Sequence, residues 1–239
     1  EVMFVSGSVT VKREIECFRE NEMILASKLY KERLAGQISE MAYYKVLERM
    51  CKSGDLVKIA KGTYHRPKVG RYGVIPPSER EIVSAFTKNG TGTIIGPSLY
   101  NRLELTTQIP KTVDVLSSSL EGITKKIRNV RVYQVQLDYT IETEGMIHSL
   151  EVLQNFGTIQ DLNYSAFVEY AKHIAERYNE EVFKNVISAI NYKKSTISFL
   201  REILNFFHKE NHLERYLSML SEYKHPKMEE IYEAARVCK

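Results

Sequence analysis

The chain has 239 residues, 43% hydrophobic and 27% charged, with a formal net charge of +4. That composition suits a globular protein with a real core and excludes a fibrous or disordered one. No run approaches the roughly 18 apolar residues of a membrane span. The opening EVMFVSGSVTVKRE breaks its apolar run too early for a secretory leader, so a cytoplasmic setting with no membrane partner is expected. Cys17, Cys51 and Cys238 are odd in number and far apart, which argues against a disulfide framework or a four-ligand zinc site and fits a reducing compartment.

The charge is unevenly spread. Residues 1–75 carry 14 Lys and Arg against 9 Asp and Glu, whereas residues 141–239 carry 12 against 15. A basic module at the N-terminal end is the footprint of an anionic partner.

In chain order, Val11, Ile15 and Phe18 fall at helical spacing and predict a first helix over Val9–Phe18. A second helix is expected over Ile24–Leu34, ended by Ala35-Gly36. Ser39 can cap a third, which runs to about Lys52 and closes at Ser53-Gly54-Asp55. Two strand-like pieces around Gly62 then predict a β-hairpin. Three helices followed by a hairpin is the element order of a winged helix.

Pro67, Gly70, Gly73, Pro76 and Pro77 cluster as a linker. Ser78-Glu79-Arg80-Glu81 is a capping-box pattern ahead of Ile82, Val83 and Phe86. Gly92–Gly96, Val113–Ser119 and Ile127–Leu137 read as strands, with a short helix over Ser98–Leu105. From about His148 the pattern is helical, in AFVEYAKHIAERY, EEVFKNVISAI, STISFLREILNFF, LERYLSMLSEY and MEEIYEAARV. The third of these is apolar nearly all round and is expected to be the most buried.

On the third helix, Tyr43, Val46, Leu47 and Met50 form the core stripe. Met41, Tyr44, Lys45, Glu48 and Lys52 form a second face, with Arg49 at its margin, and offer cations and hydrogen bonders of the kind that read base edges in a major groove. In the hairpin, Val57, Ile59 and Tyr64 are expected to point inward. Lys58, Lys61, Thr63 and His65 then point outward, with Arg66, Lys68 and Arg71 following. Only Asp55 lies near as an opposing charge. Such a ribbon can contact phosphates and supply affinity without sequence information. The expected DNA-binding set is Met41, Tyr44, Lys45, Arg49, Lys52, Lys58, Lys61, His65, Arg66 and Lys68.

Three stretches, YYKVLERMCKSGDLVKIAKGTYHRPK, PPSEREIV and GPSLYNRLELTTQIPKTVDV, resemble the AbiEi-type antitoxin family of type IV toxin–antitoxin systems. The resemblance covers about residues 10–140, and its most specific pieces are KGTYHRP and NRLELTTQIP. It implies an N-terminal winged helix joined to an antitoxin domain, repression of the protein's own operon, and neutralisation of a nucleotidyltransferase-like toxin encoded beside it. Direct contact with that toxin is left open, because the family is expected to act on the toxin's target or product.

Catalytic readings are weaker. Glu81 and Asp114 invite a restriction-type nuclease, but the next strand offers Gln134-Val135-Gln136, and neutral amides neither hold a metal well nor act as a base. His208 and His212 are four apart, yet the residue after His208 is Lys209 and no third ligand is evident. His148 and His173 stand among apolar neighbours and read as structural. No cofactor, metal or enzymatic activity is therefore expected. The expected fold class is α+β: a winged helix-turn-helix over 1–72, a small mixed α/β antitoxin-like domain over 76–145, and a helical region over 146–239. The expected function is a DNA-binding autoregulator and antitoxin whose partner is its own double-stranded operator. The alternatives are a stand-alone winged-helix transcription factor and a nuclease built on the central sheet.

Overall fold

The computed structural model describes residues 7–218 and 220–237 and is mixed α+β. The chain forms two compact units. The first comprises the described residues up to Lys88 together with Ser119–Gln134, and the second Asn89–Ser118 together with the residues from Val135 onward. Among the described residues, no helix is long and apolar enough to cross a membrane.

The first unit starts with helix α1 (Gly7–Glu16), which buries Val11 and Ile15. The expected second helix is shorter than its periodicity suggested. Met23–Leu25 form a strand, β1, and only Ala26–Leu29 are α-helical (α2), continuing as a π-turn over Tyr30–Leu34. The Ala35 amide bonds back to the Tyr30 carbonyl at 2.8 Å, and Gly36 at φ 85° ends the segment. Long-range pairing overrides local helical spacing here, because Met23, Ile24 and Leu25 lie opposite His65, Tyr64 and Thr63.

Helix α3 (Glu40–Ser53) begins and ends where its sequence predicts. The Ser39 side chain accepts from the Ala42 amide, and Gly54 closes the helix in the left-handed conformation. Its stripe of Tyr43, Val46, Leu47 and Met50 is buried with Val11, Ile15, Ile24, Leu34 and Leu56. The Tyr43 hydroxyl donates to the Ala26 carbonyl at 3.0 Å, so α3 is fixed to the junction of β1 and α2.

Strands β2 (Val57–Ala60) and β3 (Thr63–His65) follow, and the antiparallel sheet has the order β1-β3-β2. Strand β3 is therefore central. Residues 68–75, expected as a linker, instead form a separate two-stranded ribbon of β4 (Lys68–Gly70) and β5 (Gly73–Ile75). Glycine and proline mark tight turns and linkers alike, so the sequence signal was ambiguous.

Helix α4 (Glu79–Thr87) opens on the expected capping box. Ser78 and Glu81 exchange bonds at 2.6 Å and 3.3 Å. The expected domain start at 76 lies inside this unit, since α4 packs on β1 and Lys88 bonds Glu22 at 2.6 Å. The strand expected over 127–137 is present but shorter, as β9 (Val130–Gln134), and it pairs in a hairpin with a strand the sequence did not suggest, β8 (Thr124–Ile127). Arg128 bonds the Pro77 carbonyl and Asn129 the Glu79 carboxylate, so this hairpin joins the first unit from far along the chain.

In the second unit, β6 (Gly92–Ile95) pairs antiparallel with β7 (Val113–Ser117), and α5 (Pro97–Arg102) lies between them in sequence. Five longer helices follow: α6 (Ile141–Asn155), α7 (Tyr164–Arg177), α8 (Glu180–Ala189), α9 (Lys194–Phe206) and α10 (Met228–Val237). Thr140, Asn163 and Asn179 cap the first three through side-chain oxygens. The expected most-buried helix is α9, which buries six residues, Thr196, Ile197, Phe199, Leu200, Ile203 and Leu204. Phe199 meets Phe156 edge-on at 5.3 Å, and Phe156 meets Phe167 edge-on at 4.7 Å, the geometry aromatic quadrupoles favour.

LERYLSMLSEY does not form the expected helix. Only Leu213–Tyr216 make a 3₁₀ turn, and Met219 lies outside the described residues. His208 sits at φ 56° just beyond α9, so His208 and His212 are exposed and do not share a helix face.

His148 is held inside the second unit. Its Nε2 lies 2.7 Å from the Thr93 hydroxyl, which also bonds Glu144 at 3.1 Å. Burial, helped by the charge of Arg102, pushes the imidazole down to about 4. As pH falls below about 6.5, the unfolded chain takes up a proton that the folded one refuses until about 4. His148 therefore removes stability across that window, up to about 3 kcal/mol in all. Burial raises Glu144, which acts in the opposite sense. Urea titrations of the wild type and His148→Gln at pH 7 and pH 5 isolate the histidine: the wild type is expected to lose more stability between those values, and parallel curves would exclude it.

The core bond of α3 gives a second expectation. Tyr43→Phe removes the donor to Ala26 while keeping the ring, and is expected to cost about 1 kcal/mol in the denaturant midpoint analysis. A Leu47→Ala change, which empties a fully buried site, is expected to cost about 2–5 kcal/mol in the same assay.

Candidate nucleic-acid interface

Helix α3 presents Met41, Lys45, Arg49 and Lys52 to solvent, all at helical spacing. Met41 is 70% exposed, a large apolar side chain with no core role. The Arg49 guanidinium bonds the Lys45 carbonyl at 3.3 Å, which lays its stem along the helix. Lys52 pairs with Glu48 at 2.7 Å, so its charge is already partly answered. Tyr44 is half-buried against Tyr43, with ring centroids 5.2 Å apart. Burial, and then the carboxylates of Glu121 and Glu40, push its hydroxyl up, so it stays a neutral donor.

Lys58 and Lys61 are exposed on β2 and on its turn, where Gly62 at φ 68° allows the tight reversal. Lys45, Lys58 and Lys61 have no carboxylate within ion-pair distance among the described residues.

Two expected contact residues are elsewhere. Thr63 and His65 were expected to point outward by strand alternation, but Thr63 is fully buried and His65 is 2% exposed. The sheet is covered on both faces: Tyr64 joins the core of α1 and α3 on one side, and on the other α4 packs on β1 while Lys125 from β8 donates to the Lys61 carbonyl at 2.9 Å and to the Thr63 hydroxyl at 3.2 Å. Alternation assigns an outward face only when one face is open. The His65 Nδ1 lies 3.1 Å from the Arg66 carbonyl. Arg66 turns its guanidinium onto the carbonyls of Glu16 (3.0 Å) and Phe18 (2.6 Å), where it caps the end of α1. Neither side chain is available to a phosphate. Lys68 is exposed, but on the separate ribbon of β4 and β5.

Sequence reasoning missed the residues that frame the site. A recess of about 500 Å³ is lined by Tyr44, Lys58 and Lys61 together with Lys28, Lys125 and Glu121. Lys28 bonds the Ser119 hydroxyl at 3.1 Å. Glu121 is held by Ser27 and by Lys31, the latter at 2.9 Å, and these bonds lower its carboxyl below the usual range. Burial pushes the Lys125 ammonium down, against the pull of Glu121. Four lysines thus converge around one carboxylate. The paired Lys125-Lys126 was visible as charge, but nothing local told that it returns to a hairpin some sixty residues earlier.

Glu81 is engaged with the Ser78 hydroxyl and amide. Among the described residues, no group of three or more His, Cys, Asp or Glu is placed to hold a metal ion.

Among solved structures, the chain is similar to one described as "Crystal structure of RV2827C protein from Mycobacterium tuberculosis". The identity is 11%, the match covers 85% of this chain and 80% of that one, and the TM-score is 0.38. No curated protein matches the chain. Residues 26–146 match the family model described as "Family of unknown function (DUF6088)". That match takes in α3, the Lys58–Lys61 turn and the β8–β9 hairpin, and spans just over half of the sequence, so the chain belongs to the DUF6088 family.

Proposed function

We propose that the first unit is a winged-helix module that binds double-stranded DNA, and that the protein is a cytoplasmic regulator of its own operon. The observation that carries this reading is the pairing of two cationic elements: the exposed face of α3, and the Lys58–Lys61 turn beside it, which is tied down by Lys125. The element order helix, strand, two helices, two strands and the sheet order β1-β3-β2 support the winged-helix assignment. In this reading α3 enters the major groove, Met41, Tyr44, Lys45 and Arg49 meet base edges, and Lys58 and Lys61 meet phosphates.

The antitoxin role rests on the resemblance of residues 10–140 to the AbiEi-type family and names a nucleotidyltransferase-like toxin as functional partner. Co-expression with a toxin gene found beside this one tests it. Rescue of growth supports the role, and failure with DNA binding intact leaves a stand-alone regulator.

Lys58→Ala with Lys61→Ala is expected to weaken all duplexes about equally. The slope of log affinity against log salt is expected to fall by roughly 1–2, because each lost phosphate contact retains about one counterion. An unchanged slope removes the turn from the interface. Lys45→Ala is expected to cost about 1–3 kcal/mol on the upstream sequence of the protein's own gene and much less on random DNA. Equal losses on both make Lys45 a phosphate contact. Glu121→Gln removes the one carboxylate of the recess and is expected to tighten every duplex several-fold at low salt, an effect that disappears at high salt.

A further inference from the structure

The ribbon of β4 and β5 pairs only with itself and leaves its side chains in water. Val69 is 74% exposed, Val74 52% and Tyr72 95%. Apolar and aromatic groups held out on a two-stranded ribbon are a standing free-energy cost unless a partner covers them. The tip consists of Arg71 and Tyr72 between two glycines. Gly73 adopts φ 111°, a conformation that strains any other residue, and a Cβ on Gly70 would meet the Ile75 side chain at 2.8 Å. The Ile75 side chain lies across Gly70, and beyond it only Arg71 and Tyr72 project from the tip between the two glycines. The Arg71 guanidinium lies 5.7 Å from the centre of the Tyr72 ring, over its face.

Charge selects the partner. No Asp or Glu occurs from Leu56 to Ser78, while Lys58, Lys61, Arg66, Lys68 and Arg71 all do. An acidic surface or a polyanion fits such a stretch, and a second copy of the same ribbon does not. Shape narrows it further. A minor groove is roughly 6 Å wide, too narrow for a whole ribbon but open to an arginine and the edge of an aromatic ring. Arginine favours narrow, A·T-rich minor grooves, where the potential is most negative, and apolar side chains beside it pack on the sugars. Arg66, anchored on the end of α1, fixes the chain at the base of the ribbon.

We propose that the β4–β5 ribbon is a second DNA contact that places Arg71 and Tyr72 in the minor groove and prefers A·T pairs there. The inference rests on the reading of the first unit as a duplex-binding module. It adds a reading element, distinct from α3 and the Lys58–Lys61 turn, with its own sequence preference.

The test uses the full chain and 30-base-pair duplexes from the region upstream of its own gene, by fluorescence anisotropy. In turn, each A·T block flanking the protected site is replaced by G·C or by inosine·C, which keeps the A·T pattern of the minor groove but carries the G·C pattern in the major groove. For one block, the wild type is expected to lose about tenfold in affinity with G·C and to recover most of it with inosine·C. Arg71→Ala with Tyr72→Ser is expected to bind all three duplexes equally, at the weaker level, with an unchanged melting temperature. If the wild type binds no duplex, the duplex-binding reading itself fails. If the wild type binds but the double variant matches it on every duplex, or inosine·C behaves like G·C at every block, the ribbon proposal alone is overturned. A wild-type mass that rises with concentration in sedimentation, and stays monomeric in the variant, would instead make the ribbon a self-association surface and also overturns it.

Discussion

Strand β3 is bonded along both edges and covered on both faces, and the geometry of the basic surface follows from that. Its three residues pair with β1 on one side and β2 on the other. Tyr64 joins the core beneath α3, while Thr63 and His65 are buried on the opposite side. A central strand with no free edge and no free face cannot slip, because a one-residue shift would send Tyr64 out of the core and leave the Thr63 hydroxyl away from Lys125. Lys58 and Lys61 are consequently held at fixed positions relative to α3, whose own place is set by the bond from Tyr43 to Ala26. Preorganised cations lose less side-chain entropy on meeting a phosphate than lysines on a mobile loop.

The same strand explains which parts of the sequence could be read and which could not. Signals confined to one turn of chain were legible: Ser39 and Ser78 cap the helices they were expected to cap, Gly54 ends α3, and the stripe from Tyr43 to Met50 faces the core. Features that depend on distant chain were not. Ile24 fits a helical stripe, but it also fits a strand opposite Tyr64, and only the arrival of residues 63–65 decides between them. His65 and Arg66 sit in a run of cations and look like phosphate ligands. The burial of His65 depends on α4 and β8, and the bonds of Arg66 on the end of α1, none of them adjacent in sequence. Of the ten expected contact residues, the eight that are neither buried like His65 nor turned onto the chain like Arg66 are those whose surroundings α3, the turn or the ribbon supplies locally.

Charge placement is economical. Lys52 is answered by Glu48, Lys31 by Glu121, Arg33 by Glu14 and Lys88 by Glu22. Exposed pairs of this kind contribute little to stability. Their effect is to quiet part of the positive potential, while Lys45, Lys58 and Lys61 have no carboxylate within ion-pair distance among the described residues. Arg66 serves a third purpose, holding the last carbonyls of α1 where a basic side chain suits the negative end of the helix dipole. A count of cations from Leu56 to Ser78 therefore overstates the number available to a partner by at least one.

The path of the chain constrains how the proposed activities can be tested separately. The first unit is completed only when Ser119–Gln134 returns to it, and the second is likewise assembled from two stretches. A cut near Pro76 would take α4 and the β8–β9 hairpin from the sheet they cover. It would expose Met23, Thr63 and His65 to water and release the Lys61 turn from Lys125. Loss of DNA binding in such a fragment would then report unfolding as readily as a missing interface, and loss of a second activity would be equally uninformative. Single substitutions on exposed positions such as Lys45, Lys61 and Arg71 leave both cores intact, and are the changes from which a division of labour between the units can be read.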